Sequence, residues 1–177
     1  MSSNLVPLLP KVSIARRAGA FCIDGIAVWL PSLLLGANPI AQTVFFVLLW
    51  LIMRVAIVRK NKGQSLGRWA LDMKIVDPRL DRTPGVQELC KREALLGICA
   101  ALAFAGIGGL TSTNAGVVLL MLPLAIDCCV AFTDTARFPQ AFHDRIGGTI
   151  VVGTRRGYSL DIKVRRLLDQ VQSNVRR

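Results

Sequence analysis

The chain has 177 residues, of which 53% are hydrophobic, and carries 22 Lys and Arg against 11 Asp and Glu, for a net charge of +11. That length suits one ordinary domain, and in a soluble domain such a charge would point to nucleic acid. Here the apolar and charged residues are segregated into blocks, the pattern of a membrane protein with its basic loops on one side, which excludes the nucleic-acid reading.

The first long apolar run is 18–37, preceded by Lys11, Arg16 and Arg17. About 20 helical residues cross a bilayer core, so its length fits one span. Asp24 lies inside the run, and no small-residue cleavage site follows before the next one, so the segment reads as an uncleaved signal anchor. Pro31 is expected to kink it. After Gly36-Ala37-Asn38-Pro39 comes a second run, 40–58, which contains Trp50 and Arg54. A polar segment, 59–93, separates it from a third run, 94–110, which is uncharged, short and rich in glycine. Thr111-Ser112-Thr113-Asn114 then leads to the fourth run, 115–132, which holds Asp127.

Charge placement orients these runs. Residues 1–17 hold three Lys and Arg, residues 59–92 hold nine, the tail after Phe132 holds nine, and Arg54 is the last. The two short turns hold none. Four spans put every basic residue outside the membrane on one face, which the positive-inside rule makes cytoplasmic. The expected fold is therefore an all-α membrane protein. It is a bundle of four transmembrane helices with a cytoplasmic interfacial loop, both termini cytoplasmic, and a C-terminal amphipathic helix. Two spans with additional apolar soluble helices is the alternative.

Asp24, Arg54 and Asp127 are ionisable residues in apolar runs. Each costs at least ~2.5–3.5 kcal/mol at mid-membrane and so calls for a partner or a cavity. At ~1.5 Å rise per residue, Asp24 lies about 10 Å beyond Arg17, Arg54 about 7 Å before Arg59, and Asp127 about 8 Å before Phe132. The three fall in one layer near the cytoplasmic face, where two carboxylates around one guanidinium would favour their ionised forms. Arg17 and Asp24, seven residues apart, share a helix face but are too distant to touch. Such a cluster fixes helix packing and register, or forms an ion or proton path; a third option is that Arg54 snorkels to the headgroups.

In the third run Gly97, Ala101, Ala105 and Gly109 recur every four residues. This small-residue ridge permits close helix approach, to another span of the same chain or to a second copy or larger complex. In the polar segment, Leu71, Met73 and Ile75 alternate with strand period, and Pro78, Pro84 and Gly85 end the pattern. Trp69 beside Arg68 suits an interface anchor. Residues 154–177 form a basic tail in which Leu160, Val164, Leu167, Leu168, Val171 and Val175 define one helix face. Such a helix suits an anionic leaflet or a protein partner.

The five cysteines, Cys22, Cys90, Cys99, Cys128 and Cys129, make no CxxC pair and read as buried, reduced thiols rather than a disulfide or zinc framework. His143 is the lone histidine, so no metal site and no cofactor is expected. Gly106-Ile107-Gly108-Gly109 sits in an apolar run, not after a strand, and is no nucleotide loop. With no nucleophile–base arrangement either, an enzyme is not expected.

Three segments resemble a known family. Arg16-Arg17-Ala18-Gly19-Ala20-Phe21-Cys22-Ile23-Asp24 resembles the opening motif of the RDD family, in which an arginine begins the first membrane helix and an aspartate lies inside it. Gly63-Gln64-Ser65-Leu66-Gly67-Arg68 with Leu71-Asp72-Met73-Lys74-Ile75-Val76 resembles the middle motif. The closing motif is matched by Phe142-His143-Asp144-Arg145-Ile146-Gly147-Gly148-Thr149-Ile150-Val151-Val152, with Asp144 as the second aspartate. The resemblance covers 13–153. It departs at Trp69-Ala70-Leu71-Asp72, where the family has a more aliphatic or basic stretch with glycine.

The resemblance implies an integral, multi-pass membrane protein, expected in a bacterial plasma membrane or a related internal membrane, and some members resemble, or act as, cation/proton antiporters. On that reading Arg17, Asp24 and Asp144 belong to an ion pathway or its gate; Arg54 and Asp127 join them from the span analysis alone. An antiporter would let Asp24 bind a monovalent cation or a proton. The other expectation is an accessory or assembly factor of a larger membrane complex, with the ridge, basic face and terminal helix as contacts.

Overall fold

The computed structural model describes residues 9–35, 38–80, 82–111, 114–154, 159, 160, 162–164 and 170. Helix α1 (Ile14–Ser32) starts at Ser13, whose side chain accepts from the Arg16 amide, satisfying one of the free amides of the first turn. It runs through Pro31 and closes with a 3-10 turn, Leu33–Leu35, so the proline sits at the end of the helix rather than kinking its middle. Helix α2 (Pro39–Leu51) is capped by Asn38 and has Pro39 at its start, where the missing amide costs nothing. It continues through a π-helical turn, Ile52–Ile57, into α3 (Val58–Lys60). Next come α4 (Leu66–Ala70), β1 (Met73–Val76) and α5 (Val86–Gly108). A 3-10 helix (Ala115–Met121) leads into α6 (Leu122–Thr133), then α7 (Phe142–Ile146) and β2 (Ile150–Gly153).

Among the described residues, three helical stretches are long and apolar enough to cross a membrane: Ile14–Leu35, Pro39–Lys60 and Ala115–Thr133. The third expected span is different. Helix α5 begins at Val86, not at 94, and its first two turns carry Glu88, Lys91, Arg92 and Glu93. The apolar remainder, 94–108, extends only about 22 Å at ~1.5 Å per residue, short of a ~30 Å hydrocarbon core. α5 is also the central helix. It packs on α2, the 3-10 helix, α6 and α7, and it buries Leu89, Leu96, Ala100 and Ala103.

The main core lies between α1, α2 and α5, where Val28, Phe46, Trp50, Leu96, Ala100 and Ala101 are buried together. Gly97 makes room for Trp50: a Cβ there would lie 2.6 Å from the indole Cδ1. The small-residue ridge thus meets α2 at Gly97 and Ala101. Its other half, Ala105 and Gly109, borders a cavity with Phe46 and Thr43 of α2.

The fold is not all-α. β1 and β2 pair antiparallel, Met73 opposite Gly153 and Val76 opposite Ile150. Lys11 bridges Val152, and the Gly153 amide donates to Pro10 O at 2.8 Å. Three stretches far apart in sequence therefore join at one end of the bundle. Alternation in 71–75 marks the first strand, but the second is a continuous apolar run, which periodicity cannot distinguish from helix. Asp72 has φ 56, a left-handed backbone that glycine adopts more readily. Asp72 O accepts from the Thr154 amide at 2.9 Å, and the Asp72 carboxylate accepts from the Thr154 hydroxyl.

The cysteines correct a further expectation: Cys99 is buried, whereas Cys22, Cys90, Cys128 and Cys129 lie exposed, and all five are free thiols. Most of the expected C-terminal amphipathic helix lies outside the described residues.

Candidate functional site

The polar ends of α1, α2 and α5 meet α4 and α7 around a buried network of ion pairs. Asp24, fully buried on α1, accepts from Arg54 Nη1 at 2.7 Å, Ser65 Oγ at 2.6 Å and the Gly67 amide at 2.7 Å. Gly67 is required there, because a Cβ would overlap the backbone oxygen of Ala20. The three donors come from α2's π-helical turn and from the start of α4, so one α1 carboxylate ties together two later segments. π-helical turns widen a helix locally and recur at functional positions; this one carries Arg54 into the interior, with its guanidinium 4.7 Å above the Trp50 ring.

The second carboxylate on Arg54 is Glu93, not Asp127. Arg54 Nε donates to Glu93 Oε2 at 2.8 Å, and Arg68 Nη2 donates to Glu93 Oε1 at 2.9 Å. Burial alone would raise the Glu93 pKa, but Arg54, Arg68 and Arg92 hold it down to about 2. Burial and repulsion by Arg54 lower Arg68 to about 9, which leaves it charged at neutral pH.

Asp127 belongs to a neighbouring group. It accepts from the His143 amide at 2.8 Å and lies 2.5 Å from His143 Nδ1. A carboxylate only accepts, so Nδ1 carries the proton. His143 Nε2 faces Arg92 Nη2 at 3.3 Å and Asp144 Oδ1 at 3.4 Å. Asp144, fully buried on α7, pairs with Arg17 and with Arg92 Nη2, the latter at 2.7 Å. Burial opposes its ionisation, yet Arg92, His143 and Arg17 hold its pKa well below the usual carboxylate range.

The predicted set therefore divides. Arg54 joins Asp24; Arg17 joins Asp144; Asp127 joins His143. Arg92 and Glu93, adjacent on α5, link the groups, with Arg92 Nε 3.6 Å from Glu93 Oε1. Sequence reasoning missed Glu93, Arg68 and Arg92 as site residues by placing them in a loop. One signal was available: Leu89, Glu93 and Leu96 follow helical spacing, which extends the apolar face of α5 backward through the charged residues.

Such a network, flanked by long apolar helices, defines a helical membrane protein whose charged residues sit inside the bundle rather than on it. The RDD family model matches residues 11–148, and the chain belongs to that family. No curated protein and no solved structure matches it.

Proposed function

We propose that the chain is a four-span protein of a bacterial plasma membrane, with both ends cytoplasmic, and that it acts by contact, as an accessory or assembly factor of a larger membrane complex. α5 is the fourth span in this reading, entering beside the charge network and shielded by its neighbours along a short apolar length. The one-sided placement of Lys and Arg supports the orientation.

The observation that carries the non-transporting reading is the engagement of the buried carboxylates. Asp24, Glu93 and Asp144 each face buried arginines. Arginine does not deprotonate in proteins, so it cannot step aside for a cation as a carboxylate cycles between cation and proton. Catalysis forms no part of this reading. Cation/proton antiport is the second reading; its support is the Asp127–His143 pair, the buried carboxylate here that faces a titratable imidazole rather than a guanidinium.

Vesicles containing the purified chain and a pH-sensitive dye test both readings. An imposed pH gradient should survive addition of Na+ or K+. Cation-dependent collapse of the gradient, absent with Asp127→Asn, would establish antiport instead. Purification in mild detergent should also retain a stoichiometric membrane partner; recovery of the lone chain or its homo-oligomer would contradict the contact reading.

A further inference from the structure

A cavity of about 180 Å³ lies between α1 and α6. These two helices scarcely pack on each other: α1 contacts α2 and α4, and α6 contacts α5 and α7. The cavity walls include Ala18 and Cys22 of α1 and Cys128 and Phe132 of α6. All four are exposed, so the cavity opens on the outer surface of the bundle. Its floor is Arg54, Arg68 and Arg92, with Arg17 and His143 beside them. No Asp or Glu lines it; Asp24, Glu93 and Asp144 are paired with these guanidinium groups.

Two of these arginines keep unsatisfied donors. Arg68 Nη1, Arg92 Nε and Arg92 Nη1 are buried without a hydrogen-bond partner, on side chains only 2% exposed. A buried guanidinium donor without an acceptor is costly. Pairing is uneven in the same direction. Arg17, Arg54, Arg68 and Arg92 share three carboxylates directly, Asp24, Glu93 and Asp144, while Asp127 pairs with His143 instead.

We propose that this cavity binds an anionic phosphate group, carried by a membrane lipid whose chains leave through the apolar gap between α1 and α6. The planar donors of arginine match phosphate oxygens, and at a water's share of about 30 Å³ the volume holds several waters or one such group. The apolar, outward-opening mouth favours a lipid over a free ion. This site does not depend on whether the chain transports anything.

The test uses the full chain in a mild detergent, with lipid removed by exchange. It is titrated with short-chain phosphatidylglycerol, with phosphatidylcholine of the same chain length, and with inorganic phosphate, reading thermal unfolding and the bound mass by native mass spectrometry. Phosphatidylglycerol should bind saturably at one per chain, at least tenfold more tightly than phosphatidylcholine. Arg92→Gln should weaken it at least tenfold, and Arg79→Gln should leave it unchanged. Because Arg92 also holds Asp144, Cys128→Trp provides a second variant that fills the mouth without touching the ion pairs; it should weaken binding to the same degree. Equal affinity for both lipids, or phosphatidylglycerol binding untouched by Cys128→Trp, would overturn the site. Inorganic phosphate acting over the same concentration range as the lipid would overturn the lipid assignment in favour of a free anion.

Discussion

Glu93 is the residue on which the charge network depends most, since it serves Arg54 and Arg68 and lies beside Arg92. Removing one partner from a buried ion pair costs about 3–5 kcal/mol. Glu93→Gln should therefore lower the unfolding midpoint in detergent more than Asp24→Asn, which keeps an oxygen for the Gly67 amide. Half-buried Asp77, whose carboxylate accepts from the Arg79 amide, gives the baseline, and Asp77→Asn, which keeps an oxygen for that amide, should shift the midpoint little. The same residue sets a pH dependence. Its folded pKa is depressed to about 2 from an ordinary 4.5, and Asp144 is depressed too. Stability from these groups is fully present above pH 4.5 and is lost as pH falls toward about 2. Unfolding midpoints should be flat from pH 7 to 5 on this account and drop between 4.5 and 2, with the drop reduced in Glu93→Gln. Asp24 and Arg54 were legible in sequence because a charge stands out in an apolar run. Glu93 was not, because it stands among other charges and only its helix face marks it as interior.

At the scale of elements, close approach is set by glycine. A side chain at Gly67 would collide with α1 backbone, which no rotamer change relieves, so α4 would withdraw and take two of Asp24's donors with it. Gly67→Ala should therefore reduce folded yield by size-exclusion fluorescence at least as much as Asp24→Asn. Gly97→Leu should do likewise by displacing Trp50. Gly116→Ala, where a Cβ meets nothing within 4 Å, should be tolerated. The apolar helices were readable from composition, and the break between the first two from Asn38 and Pro39. The start of α5 was not, because hydropathy reports where charge stops, while the helix continues through Arg92 and Glu93 with those side chains turned inward. The pairing of β1 with β2 was hidden for another reason: partners more than 70 residues apart leave no local period.

For the whole molecule, the three motif segments form one unit at one end of the bundle, although they are scattered through the chain. This placement makes the topology testable. In a chain whose native cysteines are replaced, Asn38→Cys should react with an impermeant maleimide from outside the cell, and Arg79→Cys only after permeabilisation. Labelling of both from the same side would contradict four spans. Pairing of charges from separate helices holds the network together, and a double-mutant cycle on Arg54 and Glu93 measures that pairing. Arg54→Gln, Glu93→Gln and the double variant are compared for unfolding free energy in detergent. The double variant should be less destabilised than the sum of the singles, with a coupling of about 0.5–3 kcal/mol. Additive effects would show that the two charges do not meet and would contradict the network.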